Sequence, residues 1–171
     1  MASTFNDLIA YFENIARSHV DIRHTDNEKH FFRMEIDEVL AGINRTDVKH
    51  PYFILESYDF DYGDNKSDNI LKKRNGAFVL LDHVDDATDN DAIQEVRNRM
   101  EAIGDEILIK IKTDKRNPLV KAVRDINLDE VKGVLISNEI DNNHGLRFTF
   151  SITSPLSTDV NPEKWLPEGS I

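Results

Sequence analysis

Two hydrophobic periods run through this chain of 171 residues, and together they limit it to helices packed on a β-sheet. Apolar residues step by three or four in two stretches: Phe5, Leu8, Ile9, Phe12, Ile15 and Ala16, then Ile93, Val96, Met100, Ile103, Ile107 and Ile111. That spacing predicts amphipathic helices over about 4–18 and 90–112. Thr4 with Asp7 makes a capping pair for the first, and Asp85 to Asp91 supply the cap and N-terminal negative charge for the second. A third series, Phe31, Phe32, Ile36, Val39, Leu40 and Ile43, predicts a shorter helix over about 28–42, with Gly42 near its end. Between them, residues 19–28 are polar and read as a loop.

Elsewhere the period is two. After Pro51, Tyr52, Ile54, Tyr58, Phe60 and Tyr62 share one parity with Glu56 as the exception, which predicts a half-exposed edge strand over about 52–62. Residues 63–69 carry turn chemistry, and Ile70 to Arg74 lead through Asn75-Gly76 into AFVLLDHV, apolar on both faces like an interior strand. Pro118 begins one short helical turn after the basic connector Lys112 to Arg116. Strands over about 131–140 and 146–153 flank the hairpin chemistry of Asp141 to Gly145. The last strand sets Phe148, Phe150 and Ile152 on one face and Arg147, Thr149, Ser151 and Thr153 on the other. Three of the five prolines lie from Pro155 onward, which predicts an extended arm anchored by Trp165-Leu166. The expected fold class is α+β: an antiparallel sheet of about four strands flanked by the N-terminal helix and one long central helix. The expected division is one domain over 1–155 and an arm over 156–171.

Composition narrows the function. With 21 Lys and Arg against 32 Asp and Glu the formal charge is −11, so a general basic surface for nucleic acid or anionic lipid is disfavoured. Cysteine is absent, which removes thiol nucleophiles, zinc thiolates and disulfides together. The longest apolar runs, such as Ala77 to Leu81, fall far short of the roughly 18–20 residues of a membrane helix. The N-terminus lacks a basic region, so neither export nor a membrane partner is expected, and the Asn44-Arg45-Thr46 sequon carries no weight.

Chemistry-bearing clusters are few. His19, Asp21, His24, Asp26 and His30 supply metal-type ligands, but the spacing is not that of a helical metal pair, and a solvated loop is the simpler account. Asp59, Asp61, Asp64 and Asp68 resemble a calcium loop, yet Gly63 and Ile70 stand where ligands belong. His83, on the interior strand, is the remaining acid/base candidate and reads more simply as a satisfied histidine. No phosphate loop or nucleophile elbow is present. The expectation is therefore no enzyme, no cofactor and no metal site. Lys72, Lys73, Arg74, Trp165 and Leu166 are the expected subunit-interface residues, the cations through charge complementarity with an acidic neighbour and Trp165-Leu166 through burial.

The order of elements, carried by HPYFILESYDFDY, NGAFVLLDHV, the Ile93 to Ile111 helix and HGLRFTFSIT, resembles the tail terminator and tail completion proteins of long-tailed bacteriophages, the lambda-type terminator family. The resemblance covers about 4–18 and 51–154, is one of topology rather than motif, and carries no interface residue over. It implies a structural virion protein of the tail and neck, assembled in the host cytoplasm. Its partners are then itself, in a ring that is typically sixfold, the tail tube protein and the neck or connector protein, with DNA passing through the lumen unbound. Six copies at −11 each carry about −66, and such an acidic lumen repels DNA. Another neck adaptor or the cap of a contractile injection particle is the alternative within that class. A cytosolic metal-dependent enzyme built on His19, His24 and His30 is the alternative outside it.

Overall fold

The computed structural model describes residues 4–35, 48–64, 70–138, 141–156 and 159–166. Helix α1 (Phe5–Ser18) begins at the expected capping box: Asp7 N donates to Thr4 Oγ1 at 3.2 Å and Thr4 N donates to Asp7 Oδ2 at 2.8 Å. Helix α2 (Asn90–Asp114) begins where Asp89 accepts from the amides of Asp91 and Ala92. Six strands follow in chain order as β1 (Lys29–Arg33), β2 (Val48–Leu55), β3 (Asp59–Asp64), β4 (Ile70–His83), β5 (Ile126–Asn138) and β6 (Asn143–Pro155). They form one sheet in the order β1-β2-β4-β6-β5, with β3 beside the N-terminal half of β4. No helix among the described residues is long and apolar enough to cross a membrane.

The α+β class holds, but the sheet is larger than expected and mixed. β1 pairs with β2 in parallel, through Phe31↔Phe53 and Phe32↔Ile54. Lys29 to Arg33 are therefore a strand where a helix was expected over 28–42; residues 36–42 lie outside the described residues. Two adjacent phenylalanines serve opposite faces of a strand, and Phe31 joins one core cluster while Phe32 joins the other. β1 also covers the outer side of β2, so the expected edge position belongs to β3 alone. β4 runs from Ile70 through Asn75-Gly76 into the interior run as one strand, and the stretch after Pro118 forms turns rather than helix.

One face of the sheet carries both helices. Leu8, Phe12, Ile15 and Ala16 of α1 and the Ile93 to Ile111 series of α2 meet Phe53, Leu55, Phe78, Leu80, Leu146, Phe148, Phe150 and Ile152. Phe12 is the hub, with ring centroids 5.6–5.9 Å from Phe53, Phe78 and Phe150. The opposite face holds a smaller cluster of Phe32, Met34, Tyr52, Ile54, Val79 and Leu81.

Two bulges interrupt the sheet at one level. Leu55 pairs with Phe78 and Asp59 with Asn75, so Glu56 to Tyr58 oppose only Gly76 and Ala77. On the other side Asn127 pairs with Ser151 and Lys132 with Thr149, so Leu128 to Val131 oppose Phe150 alone. Gly76 and Phe150 are register partners in the β4–β6 ladder, which places both bulges across from one another. The first bulge changes the meaning of the sequence parity: Tyr52 and Ile54 face the smaller cluster, whereas Tyr58 packs on the helix-side core.

Candidate functional site

Between the bulges, on the face away from the helices, lies a polar groove of about 650 Å³. Its floor is the polar face of β6, and its anchor is Arg147, which donates from Nε and Nη2 to Glu56 Oε1 and Oε2 at 2.7 and 2.6 Å. Glu56 is 4% exposed. Alternation from Tyr52 and Ile54 sets this carboxylate on the face of the smaller cluster, just past the end of β2, and the guanidinium is the fork-shaped donor that satisfies both of its oxygens. Hydrogen bonding to Glu56 in turn raises the pKa of Arg147, against the effect of burial. Beside it Glu130 accepts from Lys73 Nζ at 2.8 Å and Ser151 Oγ at 2.7 Å, and these bonds hold its carboxyl below its ordinary value. Asn75 Nδ2 donates to Asp61 at 3.2 Å.

The lining carries Glu35, Glu56, Asp59, Asp129 and Glu130 against Lys132 and Arg147. The groove is acidic, and its best-placed cation is already committed to a carboxylate. That arrangement ties β6 to the segment after β2 and leaves the exposed charge of the groove negative.

The expected interface residues do not form one patch. Strand alternation sends Lys72 and Arg74 to the helix side and Lys73 to the groove side. Lys72 Nζ lies 3.9 Å from the Phe60 ring centroid, and the Arg74 guanidinium lies 5.7 Å from that of Tyr58 while Nη1 donates to Ser154 at 3.2 Å. Trp165 and Leu166 lie elsewhere, on the arm, at 71% and 74% exposure, just after a 3₁₀ turn at Pro162–Lys164.

The histidines have separate partners. His19 Nε2 meets Glu106 at 3.1 Å, His24 Nδ1 accepts from the amides of His30 and Phe31 at 3.1 and 3.3 Å, and His30 Nδ1 meets the Pro51 carbonyl at 3.1 Å. His83, at the end of β4, contacts the Asp141 carbonyl at 2.9 Å. Among the described residues no group of three or more His, Asp or Glu converges as a metal would require. Asp59, Asp61 and Asp64 lie along exposed β3, and Asp68 lies outside the described residues.

No family model, curated protein or solved structure matches this chain. What it can do is read from its own surfaces.

Besides the exposed strand β3, the two ends of the main strand order are sheet edges. β1 is short and has exposed Lys29 and Arg33 at its ends, the usual protection of an edge. β5 runs for 13 residues with Val134 and Leu135 at 51% and 56% exposure on opposite faces. Its bulged half carries Asp129, Glu130 and Lys132, whereas the half from Gly133 to Asn138 has no charged side chain to guard it. Sequence reasoning placed β5 without revealing that its outer side would stay unpaired; edge position follows from strand order, which local pattern does not encode.

Burial also sets a pH response. His24 and His144, both buried, are held below the ordinary histidine value, chiefly because burial disfavours the charged ring. A histidine held low when folded contributes its stability in full above its unfolded value near 6.5 and loses it as pH falls through the folded value. Asp26, Asp86 and Glu130 are also held low, by hydrogen bonds, so their contributions are lost further down, below about pH 4.5. The thermal midpoint is thus expected to fall in two stages on acidification, the first beginning near pH 6.5. A midpoint constant from about pH 7 to pH 5 by circular dichroism would contradict the histidine stage.

Proposed function

We propose that this chain is a structural assembly component, a tail terminator whose copies form a ring that caps a tail tube and joins it to the neck. The observation that carries the reading is β5, an edge strand with exposed Val134 and Leu135 whose outer side no strand among the described residues pairs with. An edge of this kind is a template for pairing with another chain. When the surface it meets is a different one on the next copy, the contact is heterologous and a closed rotation gives a ring.

Other features agree with this role. The order of elements resembles the lambda-type terminators, and the acidic balance suits a conduit through which DNA passes without adhering. The groove anchored by Glu56 and Arg147 supplies negative charge for a neighbour rather than a reactive centre. A neck adaptor with the same surfaces and a different neighbour is the alternative within the same class.

The test is the mass of the native protein by light scattering, alone and with tail tube protein. A ring, six copies by the terminator resemblance, is expected in at least one of these conditions. A monomer at every concentration that ignores tube protein overturns the terminator reading.

A further inference from the structure

We infer that the C-terminal arm of one copy docks into an apolar groove between α2 and β5 of the next, through Trp165 and Leu166. The inference rests on the assembly reading above and names the contact that would repeat around the ring.

The groove has a volume of about 300 Å³ and is walled by Leu108 and Ile109 of α2 and by Leu128 and Val131 of β5. Ile109 is 64% exposed, although it sits on a helix whose neighbours at Ile107 and Ile111 are buried. Leu128 and Val131 belong to the four-residue bulge, so the irregularity that breaks the β5–β6 ladder also supplies one wall. Asp105 and Lys112 stand at the rim. Lys112 and Leu128 are shared with an adjoining depression that adds Lys115 and Arg116 against Asp129, giving one end of the groove a net positive charge.

The arm has the matching chemistry. Asn161 caps the 3₁₀ turn by accepting from Glu163 N at 3.0 Å, and the turn delivers Glu163, Lys164, Trp165 and Leu166 in succession. An aromatic and an aliphatic side chain meet four aliphatic ones. Glu163 finds the cationic end at Lys112 and Arg116, and Lys164 finds Asp105. A tryptophan buries roughly 150–250 Å² when covered, a large driving force for an otherwise extended segment. On a single chain both surfaces stand open. Each copy carries one arm and one groove, so every arm and groove is filled in a closed ring, and a reciprocal exchange between two copies is the smaller closure that native mass distinguishes from it.

Trp165 is the chain's one tryptophan, so intrinsic fluorescence reads the arm alone. Fluorescence and native mass are measured together across protein concentration for the wild type and Ile109→Glu, a substitution at an exposed position. The expected result is an emission shift to the blue that rises with assembly, and a loss of both in the variant, with association weakened about thirtyfold or more. Trp165→Ala mixed with Ile109→Glu retains one intact arm and one intact groove, so the mixture is expected to form one-to-one dimers while each variant alone stays monomeric. An oligomer whose emission stays red and which Ile109→Glu leaves intact overturns this inference while the assembly reading stands. A monomer with blue, concentration-independent emission overturns it in favour of an arm folded onto its own chain. A monomer with red emission, alone and with tube protein, overturns both.

Discussion

Replacing Arg147 with methionine is expected to lower folding stability by about 3 kcal/mol, read as a fall in the urea midpoint at neutral pH. The cause lies in the residue left behind. Glu56 is 4% exposed and both its oxygens are satisfied by one guanidinium, so removing that partner strands a carboxylate on the face of the smaller cluster, just past the end of β2. The cost sits at the low end of the range for broken buried pairs because the Arg147 side chain is 30% exposed and water can reach the site. Replacing both members, Glu56→Met with Arg147→Met, is expected to restore most of the loss, since no charge is then left desolvated. A single variant within about 0.5 kcal/mol of the wild type would mean that the pair holds nothing together.

Gly145→Ala is expected to be at least as damaging, at about 3 kcal/mol or more. A Cβ on Gly145 would lie 2.0 Å from the carbonyl oxygen of Leu80 and 3.1 Å from the Cα of Leu81. These are backbone atoms of β4, which is paired with β2 on one side and β6 on the other where Leu80 and Leu81 lie, and both residues are fully buried. No side-chain rotation relieves the overlap; a central ladder has to move. Gly63→Ala is the control, because nothing lies within 4 Å of its Cβ position. Loss of folded protein for Gly145→Ala beside a near-neutral Gly63→Ala is the expected pair of thermal melts, and equal melts would show that β4 yields.

What the sequence disclosed follows from how local each signal is. α2 was legible because its buried residues repeat all the way from Ile93 to Ile111, and β6 because its apolar-polar alternation is unbroken between Phe148 and Ile152. β1 was not, because Phe31 and Phe32 in a five-residue strand fit a helical series equally well until Phe53 is known to be the parallel partner. Of the groove, only the break that Glu56 makes in the parity of its strand was visible in the sequence, without its meaning. The partner of Glu56 is 91 residues away, and no spacing rule reaches that far. The split of Lys72, Lys73 and Arg74 between faces follows from alternation once β4 is known to run unbroken through Asn75-Gly76.

The β4–β6 ladder runs without interruption from Leu71↔Pro155 to His83↔Asn143 and has a consequence for the order of events during synthesis. β6 is the last described strand in chain order, yet it lies between β4 and β5. Until it leaves the ribosome, β4 lacks the partner along one whole side, β5 has nothing in the sheet to join, and α2 has no Phe148 to close over. The growing chain therefore carries AFVLLDHV with an open edge while residues 85–155 are being made, the kind of segment that pairs with a neighbouring nascent copy if synthesis is delayed. Closure of the fold is a late, long-range step, and a chain cut short before Asn143 is an aggregation hazard rather than a smaller version of the protein.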